Sequence, residues 1–414
     1  MTAEIISIGD ELLIGQTVNT NAAWIGAELS RLGFEIARVT TIPDKRDSIL
    51  NSLAEVTGRA EVVLITGGLG PTSDDITKYT LCEFFNTTLV TNQEVLGMIE
   101  LMFQRRNLPM TDNNRRQAEV PESCRVLFNA TGTAPGMWFE KGGTIFISMP
   151  GVPLEMKYIM KEHVLPELRK RFRPGIIIHK NIMTYGTFEA RLSEMLEEFE
   201  SQLPANIKLA YLPSTGIIKL RLTGHGNNRK ELANQISRQV RKLYKIIPDL
   251  IYGEDEKTLE QAVCEILKQK GLTVCVAESC TGGMISHLLT SIPGSSAYFK
   301  GSVVAYDNSI KTGLLGVKEE TIKKYGAVSR ETAIEMARGV LKLSGCDFSV
   351  ATTGIAGPDG GTPEKPVGSV WIAVASKDNT EAASYHFIHD RETNILHFSY
   401  SALNMLRRRI LNIM

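Results

Sequence analysis

The chain has 414 residues, in which 46 Lys and Arg balance 46 Asp and Glu and 43% of positions are hydrophobic. At roughly 150 residues per domain, that length implies two or three units with ordinary soluble cores. The zero formal net charge argues against direct nucleic-acid binding, which calls for a basic surplus, and no apolar run approaches the ~18 residues that span a bilayer. The first residues, MTAEIISIGDELLIG, lack the basic leader of a secretory signal, so a cytoplasmic location with no membrane partner is expected. Cys82, Cys124, Cys264, Cys275, Cys280 and Cys346 are scattered without a C-x-x-C pair and read as reduced thiols.

In chain order, AEIISIG (3–9) predicts a strand, and Trp24, Ile25, Leu29 and Leu32 predict a helix from Asn21 to Leu32, stopped by Gly33. A strand over 34–42, a helix over 44–58 and a buried strand over 61–66 follow. This alternation implies a parallel sheet covered on both faces. The basic, proline-containing run RKRFRPG (169–175) suggests a boundary. Beyond it the order β-α-β-β-α predicts a small α+β unit that resembles a KH-like module. It holds 11 Lys and Arg against 7 Asp and Glu between Gly175 and Gly253 and has no Gly-x-x-Gly clamp, so a spacer or dimerisation unit is expected rather than an RNA binder. From IYGED onward a helix face (Leu259, Val263, Ile266, Leu267), a strand over 272–277 and a final helix from Asn394 to Leu411 outline a second α/β unit. The expected architecture is therefore α/β: N-terminal (1–172) and C-terminal (254–414) three-layer domains with mostly parallel sheets, joined by a small α+β domain (173–253).

The N-terminal unit carries Thr66-Gly67-Gly68-Leu69-Gly70-Pro71-Thr72-Ser73-Asp74-Asp75 directly after a strand. Its glycines expose backbone N–H groups at the carboxyl edge of a parallel sheet, a place that suits an anion or a plain tight turn. Gly67, Gly68, Gly70 and Thr72 are the candidate phosphate contacts. The loop lacks the Lys-Ser/Thr of a Walker loop and the Rossmann spacing. Acids in a phosphate loop are explained by a divalent metal such as Mg between them and the phosphate, with Asp10, Glu11, Asp74 and Asp75 as candidate ligands. Asp10 and Glu11 read equally well as first-turn helix acids. SIGDELLIGQTVNTN, TIPD, TGGLGPTSDD, PGMWFE and MPGVPLEMK, in that order, resemble the molybdopterin-binding fold of MogA/MoaB-type proteins and the N-terminal half of the CinA family. That resemblance implies functional acids at Asp44 and Asp75, and metal-dependent hydrolysis of ADP-ribose.

The C-terminal unit carries Glu278-Ser279-Cys280-Thr281-Gly282-Gly283 between a strand and a helix. Thr281, Gly282 and Gly283 make a turn that could hold a phosphate or form an oxyanion hole, or serve as an ordinary N-cap. Ser296 follows in GSS, and Tyr306 and Lys311 lie around the strand GSVVAY. Thr353, Gly354, Ala356 and Gly357 open a glycine-rich loop long enough to suggest function. Arg391, after the last strand, could clamp a phosphate. No histidine sits in these hydroxyl-rich loops, so a serine nucleophile needs another base, and a desolvated lysine can serve. The expected pairing is Ser296 as nucleophile and Lys311 as base, with Ser279 and Tyr306 relaying protons or positioning the amide and Thr353 binding it.

AESCTGG, SIPGSSAYFKGSVVAYDNSIK, TTGIAGPDGGTPEKPVGSVWIA and HDRE resemble the CinA C-terminal domain, the nicotinamide-nucleotide amidase family, over 255–414. The resemblance implies Glu278, Ser279, Ser296, Tyr306, Lys311, Thr353 and Arg391 as the active-site set. It also implies conversion of nicotinamide mononucleotide and water to nicotinate mononucleotide and ammonia with no cofactor, and a homodimer. Two other readings stay open: a molybdopterin-binding or adenylyl-transferring protein, and a non-enzymatic partner in competence or DNA repair.

Overall fold

The computed structural model describes every residue except 71, 73, 74, 173, 174 and 414. The chain divides into two compact units, residues 1–178 with 225–232 and residues 179–224 with 233–414. Among the described residues no helix is long and apolar enough to cross a membrane. The six cysteines are free thiols.

The first unit holds β1 (Thr2–Ile8), β2 (Glu35–Ile42), β3 (Val62–Thr66), β4 (Leu89–Thr91), β5 (Glu119–Pro121), β6 (Arg125–Leu127), β7 (Gly136–Lys141) and β8 (Thr144–Met149). Six of them form one sheet in the order β2-β1-β3-β8-β7-β6, while β4 and β5 pair separately. The four strands from β2 to β8 run parallel, and β7 and β6 are antiparallel additions. Successive strand residues point to opposite faces. Val62 and Leu64 therefore join Ile5, Leu29 and Phe34 on one side, and Val63 and Ile65 join Ile6, Ile49 and Phe146 on the other. Burial on both faces is what makes these strands near-continuous apolar runs. The helix Thr20–Leu32 begins where Asn19 Oδ1 accepts from Ala22 N–H at 3.0 Å and ends at Gly33, whose φ of 102° suits glycine.

The second unit contains β9 (Ile176–Tyr185, shared across the division), β10 (Ile207–Ser214), β11 (Ile217–Gly226) and β12 (Ile251–Glu254), a four-stranded sheet in the order β10-β11-β9-β12. Its helices Glu189–Ser201 and Arg229–Ile246 complete the expected β-α-β-β-α order. A five-stranded sheet follows, built from β13 (Val274–Glu278), β14 (Phe299–Val304), β15 (Phe348–Gly354), β16 (Ser369–Ser376) and β17 (Thr380–His386) in the order β14-β13-β15-β16-β17. β14, β13 and β15 are parallel, and β16 and β17 return antiparallel.

In both sheets the chain leaves a first strand, adds a second on one side, then crosses to add the third on the other side. That reversal opens a crevice at the carboxyl ends of the parallel strands, where open α/β sheets bind ligands. It lies beyond β1 and β3 in the first unit and beyond β13, β14 and β15 in the second.

The last helix, Arg391–Leu411, starts one turn earlier than the apolar periodicity predicts, because Asp390 caps it by accepting from Thr393 N–H at 2.9 Å. Near its other end the buried Arg407 donates to Asp249 O at 2.6 Å, Ile251 O at 2.9 Å and Asn404 Oδ1 at 3.1 Å. Burial pushes this guanidinium down to about 10, which leaves it charged at neutral pH. A charged donor shared by a buried and a part-buried carbonyl is worth more than a neutral one. Arg407→Met should therefore cost about 3 kcal/mol in denaturant unfolding, with the exposed Arg238→Met as an unaffected control.

Candidate functional site

In the first unit the exit of β1 places Asp10 and Glu11 in a short helix, Asp10–Leu13, and Asp10 N–H donates to Asp44 Oδ2 at 3.2 Å. Gly67, at the exit of β3, has a φ of 109°, and a Cβ there would sit 2.1 Å from Ile8 O. Only glycine lets the loop turn this close to β1. Gly68 and Gly70 are equally confined, against Thr77 Oγ1 and the Asp75 carboxylate. Asp75 accepts from Thr72 N–H at 3.0 Å and from the Thr72 hydroxyl.

Asp10, Glu11, Asp44 and Asp75 thus share one crevice. Burial pushes the Asp44 carboxyl above its ordinary range, and the charges of Asp10, Glu11 and Asp75 push the same way against the Asp10 N–H bond. The expected metal ligands fit less well. Asp74 lies outside the described residues, and among those described no group of three or more His, Cys, Asp or Glu side chains is placed to hold a metal ion. Asp75 is turned toward Thr72 instead.

The second crevice is built around a cavity of ≈ 280 Å³. Ser279 and Cys280 reach it from the exit of β13, Tyr306, Asn308 and Lys311 from beyond β14, and Thr353 to Gly357 from the exit of β15. Ala327 and Val328 supply another wall, and Asp359, Gly360 and Arg391 line it as well.

Lys311 is 2% exposed. Its ammonium nitrogen donates to Ala305 O at 2.8 Å and Tyr306 O at 2.9 Å. Burial pushes its pKa below the usual lysine range, and the charges of Asp307 and Cys280 only partly oppose this. Two carbonyls match the two N–H bonds of a neutral amine and leave its lone pair unused.

Thr353 donates its hydroxyl to Ala327 O at 2.7 Å. With its proton committed, its oxygen can only accept inside the cavity. Arg391 donates through Nη1 to Gly357 O at 2.6 Å and through Nη2 to the Tyr306 hydroxyl at 3.0 Å. It therefore braces the cavity wall, and the phosphate-clamp role expected of it competes with two bonds already made. Burial pushes the Cys280 thiol up to about 12, too high for a thiolate nucleophile at neutral pH.

Several expected site residues stand elsewhere. Ser296 is exposed in the 3-10 turn Ser295–Ala297, before the start of β14, whereas the cavity lies beyond its end. The length of β14, about 20 Å at ~3.3 Å per residue, separates Ser296 from Lys311. Ser279 is the serine that shares the cavity with Lys311, and Ser296, the expected nucleophile, does not line it. Glu278 is fully buried behind the wall, and its carboxylate accepts from Gly283 N–H at 3.0 Å, Ile285 N–H at 3.1 Å, Ser286 N–H at 2.9 Å and the Ser286 hydroxyl. It anchors the helix Met284–Thr290 and does not line the cavity. The Thr281 hydroxyl pairs with that of Thr352 at 2.8 Å, and neither Gly282 nor Gly283 lines the cavity. Gly354, Ala356 and Gly357 do.

Asn308, Ala327, Val328, Ile355, Asp359 and Gly360 were not expected at the site. Ala327 and Val328 carry no chemical signature in sequence. Asn308 and Asp359 sit beside motif residues, and the rule that ligands bind beyond parallel strand ends could have found them.

Three family models match consecutive stretches of the chain: a probable molybdopterin binding domain over residues 4–170, the damage-inducible protein CinA KH domain over 179–253 and the CinA C-terminal domain over 256–410. A CinA-like protein of Cytophaga hutchinsonii is 48% identical over 99% of this chain and 98% of its own length. Another from Flavobacterium psychrophilum is 46% identical over 99% of each. The crystal structure of the competence/damage inducible protein CihA from Agrobacterium tumefaciens is 43% identical, covering 36% of this chain and 92% of that one with a TM-score of 0.36. With relatives this similar across nearly its whole length, the chain belongs to the CinA family.

Proposed function

We propose that the C-terminal crevice hydrolyses the carboxamide of a pyridine mononucleotide, turning nicotinamide mononucleotide and water into nicotinate mononucleotide and ammonia. One observation carries this reading: a buried lysine amine, held by two carbonyls, in the same cavity as the Ser279 hydroxyl. The cavity volume of ≈ 280 Å³ lies just below the range of ligand pockets, about 300–1,000 Å³, which suits a mononucleotide better than a dinucleotide.

Neutral Lys311 takes the Ser279 proton as Oγ bonds to the carboxamide carbon, and the C=O electron pair moves onto oxygen. Thr353 Oγ1 accepts an amide N–H and orients the leaving nitrogen. Collapse restores the carbonyl and breaks the C–N bond, with Lys311 returning the proton so that ammonia leaves. Water then attacks the Ser279 ester, giving one proton to Lys311, which returns it to Ser279 Oγ as the carboxylic acid departs and ionises to the carboxylate in solution. Tyr306, braced by Arg391, closes the exposed side of the cavity.

Ser279→Ala should lower kcat for ammonia release at least ~10³-fold, while Ser296→Ala should leave it unchanged. The reverse pattern in a coupled ammonia assay would refute the assignment of the nucleophile. Lys311→Arg keeps the charge but cannot act as the base, so it should be inactive at every pH. In the parent, kcat/KM should rise with pH as Lys311 loses its proton, with a midpoint below the ordinary lysine value of 10.5, because desolvation favours the neutral amine. A profile flat from pH 6 to 9 in both k values would remove lysine from the mechanism.

A second reading concerns the first unit, whose sequence matches a probable molybdopterin binding domain: cleavage of ADP-ribose, with Asp44 and Asp75 as the residues that would draw a divalent cation to neutralise the pyrophosphate. Asp44→Asn and Asp75→Ala should abolish Mg-dependent release of AMP from ADP-ribose while sparing ammonia release, which should also persist in EDTA. Wild-type protein that leaves ADP-ribose intact with Mg would dismiss this second activity.

A further inference from the structure

Amide hydrolysis at Ser279 creates a negative oxygen, and a site that performs it needs a hydrogen-bond donor aimed at that oxygen. The charged donors in the cavity are already engaged: Lys311 with Ala305 O and Tyr306 O, Arg391 with Gly357 O and the Tyr306 hydroxyl. Asn308 also lines the cavity, and backbone N–H groups are other neutral donors there; the loop beyond β15 presents one whose direction is set from behind.

Asn394 lies in the first turn of the last helix and is fully buried. Its Nδ2 donates to Ala356 O at 3.1 Å and to His389 O at 2.8 Å. Both partners are carbonyl oxygens, so the amide nitrogen must face them and the side chain's orientation is determined by its bonds. Arg391, one turn earlier on the same face, takes the next carbonyl of the loop, Gly357 O. Two consecutive carbonyls of the cavity wall are thus drawn toward the helix.

The Ala356–Gly357 peptide is trans. In a planar trans peptide the N–H points opposite to the C=O. With Ala356 O turned back to buried Asn394, the N–H of the same plane, that of Gly357, is turned away from the helix, and Gly357 lines the cavity. Among the described residues this N–H has no protein acceptor. The following residue, Pro358, has no N–H. Its φ of 95° and the 2.6 Å approach that a Cβ would make to Val367 Cγ1 explain why glycine stands here.

We infer that the Gly357 N–H is an oxyanion donor of the amide-hydrolysing site and that Asn394 is the positioning residue that aims it. The inference rests on the amidase reading above. As Ser279 Oγ bonds to the carboxamide carbon, the charge that moves onto the carbonyl oxygen is met by Gly357 N–H, and no proton is transferred there.

Asn394→Asp keeps the shape but replaces the shared donor by an acceptor, so Ala356 O is repelled and the peptide loses its hold. Ammonia release from nicotinamide mononucleotide should fall about 10²–10³-fold in kcat, with KM changed less than about threefold, because the donor acts on the transition state rather than on the bound amide. A change in KM alone, or an unaltered kcat in folded protein, would overturn the assignment. Should the variant fail to fold, wild-type protein with 15N-glycine gives an independent answer. The pyridine-3-aldehyde analogue of the mononucleotide adds to Ser279 as a hemiacetal whose former carbonyl oxygen occupies the oxyanion position. The Gly357 amide proton should then shift downfield, and an unshifted signal with analogue bound would refute the donor role. Wild-type enzyme that releases no ammonia at all would fail the amidase reading itself, whereas active wild type with unaffected Asn394→Asp fails only this inference.

Discussion

The geometry of the C-terminal crevice depends on one buried charge, the Glu278 carboxylate at the end of β13. An ion taken out of water costs several kcal/mol unless its lone pairs are filled. Here three backbone N–H groups and a serine hydroxyl fill them, at the N-terminus of the helix Met284–Thr290 where the backbone dipoles favour negative charge. The carboxylate therefore behaves as a bolt between strand and helix, and the chain between its two ends must loop outward. Ser279 and Cys280 stand on that outward loop. Lys311 receives the opposite treatment. It is as inaccessible as Glu278, yet its hydrogen-bond partners are carbonyl dipoles and no carboxylate pairs with it directly. The Glu278 oxygens are filled by donors, whereas Lys311 has only acceptors beside it and burial pushes it toward the neutral amine.

The two units use one topological device and surround it with different side chains. In each, the central parallel strand exits between neighbours laid down in opposite directions, and glycine-rich loops crowd the opening. Near β1 and β3 the opening is acidic, so Asp44 is raised by burial and by its neighbours' charges. Near β13 and β15 it is lined by hydroxyls, amides and a hidden amine. The fold supplies a place, and the side chains at strand exits decide what can be done there.

Much of this was legible in the sequence, for reasons particular to each residue. Strand and helix alternation revealed the sheets because buried parallel strands must be apolar on both faces. Lys311 could be singled out because a hydroxyl-rich loop without histidine needs another base. Ser296 could not be separated from Ser279 by composition: both sit in small-residue signatures, and only the direction of β14 shows that one precedes the strand while the other lies at the cavity end. Glu278 illustrates the same limit. A motif marks it as important, but whether a carboxylate faces a ligand or a helix terminus is a matter of rotamer and burial. Ala327 and Val328 line the cavity through backbone and apolar contact, which leave no chemical trace in sequence.

The last helix brings these features into one mechanical element. At ~1.5 Å per residue its 21 residues extend about 31 Å. Its first turn grips the cavity wall through Arg391 and Asn394. Near its far end Arg407 grips the carbonyls of Asp249 and Ile251, the latter the first residue of β12. A continuous helix is stiff over this length, so the wall that carries Gly357 is referenced to a distant anchor and not only to its own loop. Sites held by side chains on rigid elements keep their geometry better than sites on loops alone. The glycine-rich stretch after β15 needs such support, since the torsional freedom that lets it approach a ligand would otherwise let it turn away.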